Sequence, residues 1–186
     1  MKYLVVSDNH GDREILADLV ARYQTKVDFF FHCGDSELSP EDQLWTHFHV
    51  VKGNCDFGPG FVEKEWVDTG KDKIFITHGH LANVRFGLTQ LALEAQANQA
   101  TMVFFGHTHQ IGCEVVEGVL YLNPGSISQP RGPIQIPSYA LIEHSGEQVN
   151  VQYYNRAHQP VEELACLLYT SPSPRDRELS RMPSSA

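Results

Sequence analysis

Tyr3-Leu4-Val5-Val6-Ser7-Asp8-Asn9-His10 decides how the rest of this chain is read. Four apolar residues in a row, two of them β-branched, fit a strand covered on both faces. The strand runs directly into a carboxylate and an imidazole two residues apart. In extended backbone such residues point the same way, so Asp8 and His10 can serve one ligand. The same ending recurs. The run 27–31 leads to His32-Cys33-Gly34-Asp35, and 49–51 leads to Gly53-Asn54-Cys55-Asp56. The run 73–77 leads to His78-Gly79-His80, and 102–105 to Gly106-His107-Thr108-His109. In open α/β sheets ligands bind beyond the carboxyl ends of strands, so five such clusters converge on one site.

Between these strands Asp12 is placed to cap a helix with Ile15, Leu16, Leu19 and Val20 at helical spacing. A longer helix is expected over 83–99, with Leu88, Leu91, Ala92 and Ala95 along one side. From Cys113 the pattern changes to hairpins, 113–116 with 119–122 and 139–143 with 148–154, turning at Glu117-Gly118 and Ser145-Gly146. With no repeat and no linker, this predicts one α/β domain whose strands lie between helical layers.

Composition narrows the class. The 186 residues are 41% hydrophobic and 20% charged, with a net charge of −9, as expected of a globular chain with one core. The acidic balance disfavours stable nucleic-acid binding, which needs surplus Lys and Arg. No apolar run approaches the roughly 20 residues of a membrane span, and the first residues lack a signal-peptide pattern. Four cysteines without a CxxC pair suit a reducing compartment. The expectation is a cytoplasmic protein without a membrane partner, with oligomers allowed.

After Ala165 the character changes. Residues 166–186, CLLYTSPSPRDRELSRMPSSA, show no hydrophobic period and read as translated sequencing-library adaptor. They are set aside as a non-native, disordered tail, leaving residues 1–165 as the domain.

The chemistry follows from residue type. Asp35 offers a carboxylate able to bridge two ions, and Asn54 a neutral amide oxygen. His, carboxylate and amide ligands suit Mn, Fe, Zn or Ni. One D-x-H or H-x-H is weak evidence for a metal, but five clusters in series, each after a strand, point to one.

The order D-x-H, GD, GN-x-[DE], strand-end His, GH-x-H resembles the calcineurin-like metallophosphoesterase superfamily. The strings SDNHG, HCGDSE, VKGNCD, THGH, FGHTH and NPGS are similar to its small bacterial and archaeal YfcE/YsnB-type phosphodiesterase branch. The resemblance spans about residues 1–164 and implies a four-layer α/β/β/α metallophosphoesterase sandwich with two divalent metal ions, Mn being favoured. It implies Asp8, His10 and His109 on one ion, Asn54, His78 and His107 on the other, and Asp35 bridging. Asp8, Asp35, Asn54 and His78 are then the residues expected to serve catalysis. Two divalent ions, less two aspartates and a bridging hydroxide, leave one positive charge, matching a phosphodiester monoanion. The implied reaction is hydrolysis of a small, possibly nucleotide-like phosphoester by that hydroxide, the ions lying roughly 3.5–4 Å apart.

Departures and secondary residues qualify this expectation. Cys55 stands where many relatives carry a His that aids the leaving group, and a thiol is a poor replacement. Asp56 is either an orienting group or a solvated turn carboxylate. His80 and Asn9 are candidate substrate contacts, with turn stabilisation the alternative for Asn9. Asn123-Pro124-Gly125-Ser126 resembles a structural turn beside the site. Arg131 is read as a surface arginine able to meet a phosphate. His32, His47, His49, His144 and His158 carry no motif, and Trp45 and Trp66 read as packing. Two other functions compete: a phosphomonoesterase or nucleotidase with the same metals, and a non-catalytic scaffold of this fold, which intact ligand positions disfavour.

Overall fold

The structure, a computed structural model, describes residues 1–169. β1 (Lys2–Val6) shows how the layers arise, because its side chains alternate between two cores. Tyr3 and Val5 enter one apolar cluster, Leu4 and Val6 another. The second cluster lies under α1 (Arg13–Tyr23), whose Ile15, Leu16, Leu19 and Val20 are buried. Asp12 caps α1, its side chain accepting from the Ile15 N–H.

β1 pairs in parallel with β2 (Phe29–His32), which pairs in parallel with β3 (Phe48–Val50). On its other side β1 meets β9 (Ser138–Ser145) antiparallel, followed by β10 (Gln148–Asn155) and β11 (Pro160–Tyr169). The second sheet has the order β4 (Lys64–Asp68), β5 (Lys73–Thr77), β6 (Met102–Phe104), β8 (Val119–Pro124), β7 (Ile111–Val116). Its outer face carries Phe75, Val103 and Tyr121 against Leu91 and Ala95 of α2 (Thr89–Ala97). The inner faces of both sheets share one core, in which Phe31 packs edge-on to Phe104 at 5.2 Å. The result is the expected α/β/β/α sandwich. None of its described helices is long and apolar enough to cross a membrane.

Three elements differ from the sequence reading. The second helix begins at Thr89, not at 83, because Asn83 (φ +51°) and Gly87 (φ +136°) occupy backbone conformations that a right-handed helix cannot include. An irregular loop over 83–88, following a 3₁₀ turn at His80–Ala82, takes the place of its first turns. β4 carries no strand signal in the sequence, because only Val67 of its five residues is buried. β11 crosses the 165/166 junction, pairing Cys166 with Val151 and Leu168 with Val149. The first four residues set aside as tail are therefore strand, and residues 170–186 lie outside those described.

Candidate metal centre

All five strand-end clusters meet at one edge of the sandwich. The parallel strands β1, β2 and β3 deliver Asp8 and His10, Asp35, and Asn54. β5 and β6 deliver His78 and the His107/His109 pair from the facing sheet. The glycines of the motifs are there because the loops close tightly. A Cβ on Gly53 would lie 2.0 Å from Asp35 Oδ1, and one on Gly106 2.1 Å from Ser7 Oγ. Asp8, His10, Asp35, His107 and His109 all have φ between +45° and +67°. For side-chain-bearing residues this left-handed backbone costs of order 1 kcal/mol each, so the surrounding packing holds the cluster against its local preference.

The seven expected ligands form a chain of close approaches. His109 Nε2 lies 3.1 Å from Asp8 Oδ1 and 3.2 Å from His10 Nε2. His78 Nε2 lies 3.4 Å from Asp35 Oδ2 and 3.1 Å from Asn54 Oδ1, which is 2.9 Å from His107 Nδ1. Ligand atoms of Asp8, His10, Asp35 and His109 all fall within 4.8 Å of one another.

The hydrogen bonds around the rings set which nitrogen faces inward. His78 donates from Nδ1 to the Cys33 carbonyl, and His109 from Nδ1 to the Gln129 carbonyl, both at 2.7 Å. His10 donates from Nδ1 to Glu37 Oε1 at 2.6 Å. In a neutral ring the proton on Nδ1 leaves a lone pair on Nε2. His10 and His109 thus point two lone pairs at each other across 3.2 Å, and His78 points one at two acceptor oxygens. Asp8 Oδ1 is buried with no hydrogen bond at all, while its Oδ2 accepts from Ser7 Oγ at 2.5 Å. Buried acceptors that converge without donors need a cation between them. These residues therefore fit divalent metal, with carbonyl and carboxylate groups behind the histidines as metal sites require.

Electrostatics follow the same geometry. Burial works against ionisation of Asp35, but the neighbouring His78 ring and the hydrogen bond from the Cys55 N–H outweigh it and hold the carboxyl well below its usual range. Burial also disfavours the His78 imidazolium, yet Asp35 and Asp8 raise its pKa. His107 is pushed down to about 4 by burial, helped by His78 and Arg85. Burial, then the Asp35 carboxylate, push the Cys55 thiol up to about 11.

Several supporting residues were weakly marked in the sequence. His32 is fully buried, donating from Nε2 to Asn9 Oδ1 (2.8 Å) and accepting from the Gly34 N–H (3.1 Å). Asn9, expected as a substrate contact, is turned away from solvent. It is fully buried and also donates to the Asp12 carbonyl, a bond that stabilises the turn. Asp56 is a buried hub, not a solvated carboxylate, accepting from the N–H groups of Asp35, Gly53 and Glu37 and from Ser36 Oγ. Asn123 donates to the Gly106 carbonyl and Ser126 to the Asp8 carbonyl, so their turn braces two ligand loops. His80 stays at the rim, its ring 5.3 Å from that of His78 and its buried Nδ1 without a partner. Trp66 stacks on Phe75 at 4.0 Å, as packing predicts. Arg85, on which the sequence reading was silent, donates from Nε to His107 Nε2 at 3.1 Å.

Residues 1–147 match the calcineurin-like phosphoesterase superfamily domain. The chain belongs to that superfamily. Among calcineurin-like phosphoesterases it is similar to the probable metallophosphoesterase YsnB of Bacillus subtilis, at 38% identity over 164 residues, covering 88% of this chain and 96% of the relative. It is also similar to the phosphodiesterase YfcE of Escherichia coli K12, at 34% identity, covering 77% and 88%. A predicted phosphoesterase from Streptococcus pneumoniae TIGR4, solved as a crystal structure, superposes with a TM-score of 0.88 at 40% identity, covering 90% of this chain and 97% of that one.

Proposed function

We propose that this protein is a metal-dependent phosphodiesterase acting on a small phosphoester, with two divalent cations, Mn foremost, at the strand-end edge. The observation that carries this reading is the buried, unpaired Asp8 Oδ1 facing imidazole lone pairs. Asp8, His10 and His109 would hold one ion and Asn54, His78 and His107 the other, with Asp35 shared. Bound there, the ions would lower the pKa of water and neutralise phosphoryl charge. The chain's own groups give direction to that chemistry. The Cys33 and Gln129 carbonyls and Glu37 fix the ring orientations, and the Cys55 N–H, 2.7 Å from Asp35 Oδ1, fixes the bridging carboxylate. The protonated Cys55 thiol is a poor proton donor to a departing alkoxide, which favours substrates with acidic leaving groups.

The test is metal content and turnover after stripping and restoring manganese, with bis-aryl and mono-aryl phosphates compared side by side. Asp35→Ala and His107→Ala are expected to abolish metal loading and hydrolysis together. A wild-type chain that binds no metal and turns over neither ester would refute the proposal. Faster hydrolysis of the monoester would turn the assignment to a phosphomonoesterase.

A further inference from the structure

Beside the centre lies a cleft of about 450 Å³, of the size that takes a small ligand. Arg85, Arg131, Thr108 and Gln110 line it, over apolar groups from Val84 and Leu88. It shares a wall with the H-x-H pair. Arg85 bonds to His107, Thr108 lies between the two histidines, and the Arg131 N–H donates to the His109 carbonyl at 3.0 Å.

The two arginines stand out against an acidic protein. Several of its described cations are tied to carboxylates: Arg13 to Asp42, Arg156 to Asp12, Lys2 to Glu143 and Lys64 to Glu94. Among the described residues, Arg131 has no side-chain hydrogen bond or ion pair, and Arg85 bonds only to an imidazole. Glu114 also lines the cleft but pairs with neither. Arg85 is further coupled to the centre by proton placement. A neutral ring that gives Nδ1 to a cation carries its proton on Nε2, which removes the acceptor Arg85 now uses and leaves its guanidinium for the cleft. Two arginines without carboxylate partners lining one cleft carry the donors that recognise a phosphate.

We infer that this cleft seats a second phosphate on the substrate, so that the preferred diester carries a phosphate on one ester arm, held between Arg85 and Arg131 while the scissile phosphorus lies at the metal centre. This rests on the hydrolytic reading above for the position of the scissile group, and the arginine cleft itself is tested separately.

The experiment compares two probes with one leaving group on the manganese-loaded full chain: the 4-nitrophenyl ester of thymidine 5′-phosphate, and the same ester bearing a 3′-phosphate. The added phosphate is expected to raise kcat/KM by about tenfold or more at low ionic strength, with the ratio shrinking as salt rises. Arg131→Gln and Arg85→Gln should each lower that ratio, and the double variant should bring it near one whatever happens to absolute rates. Both side chains are exposed, so folding is not at stake. In parallel, calorimetry compares binding of thymidine 3′,5′-bisphosphate and thymidine 5′-phosphate without turnover. Tighter bisphosphate binding that is lost in the double variant supports the cleft even if neither ester is hydrolysed, in which case it is the hydrolytic reading that fails. Equal affinities, or a preference the double variant retains, overturn the cleft even if both esters are hydrolysed.

Discussion

The Asp56 carboxylate accepts the backbone N–H of Asp35 at 2.8 Å and, with the same oxygen, the N–H of Gly53 at 2.8 Å. Its other oxygen takes Glu37 N–H and Ser36 Oγ. One buried side chain thus joins the loop after β2 to the loop after β3. Asp56→Ala would leave these donors unmet in a dry site. It is expected to destabilise the fold by about 3 kcal/mol and to weaken metal binding by about 10–100-fold. Denaturant unfolding and manganese titration would measure both. Unchanged values would refute the hub.

His32 makes stability depend on pH. Burial pushes its pKa down to about 4, whereas an unfolded histidine titrates near 6.5. Between those values the unfolded chain binds the extra proton, so stability is whole above about pH 6.5 and falls as pH drops toward 4. The contribution is on the order of 3 kcal/mol. Thermal unfolding across this range should show the loss in the wild type and a flatter profile in His32→Gln.

Cys55 should be unreactive for a partly exposed thiol. With its pKa near 11, alkylation at pH 8 in chelator is expected to run on the order of a hundredfold slower than for an unperturbed thiol. Peptide mapping of iodoacetamide-treated protein would measure it. Cys55→His should raise turnover of alkyl diesters more than of aryl ones, by about tenfold or more, and equal gains on both classes would argue against the leaving-group account.

The strand beyond the 165/166 junction contributes packing. Cys166 and Leu168 lie against the inter-sheet core, so a chain ending at Ala165 should be less stable than one ending at Tyr169 by about 1–3 kcal/mol. Equal melting temperatures would show that these four residues add nothing.

Much of the centre was legible because its signals are local. Asp8, His10, Asp35, Asn54, His78, His107 and His109 each follow an apolar strand, and parallel strands carry their ends to one edge. The supporting residues were not legible in this way. His32 and Asp56 act through burial, and burial depends on which loops close over them. The helix expected from 83 lost its first turns to Asn83 and Gly87, a conformational effect that side-chain periodicity does not register.

By itself, then, the sequence determined the ligand types, their order and the layered α/β plan, since these follow from strand periodicity and donor chemistry within short windows. The tertiary structure alone decided which ring nitrogens face inward, that Asn9 turns from solvent, and that Arg85 and Arg131 share a cleft. Those outcomes depend on contacts between segments far apart in the chain, such as Asn54 with His107 and His109 with Gln129, which form only when the two sheets are packed together.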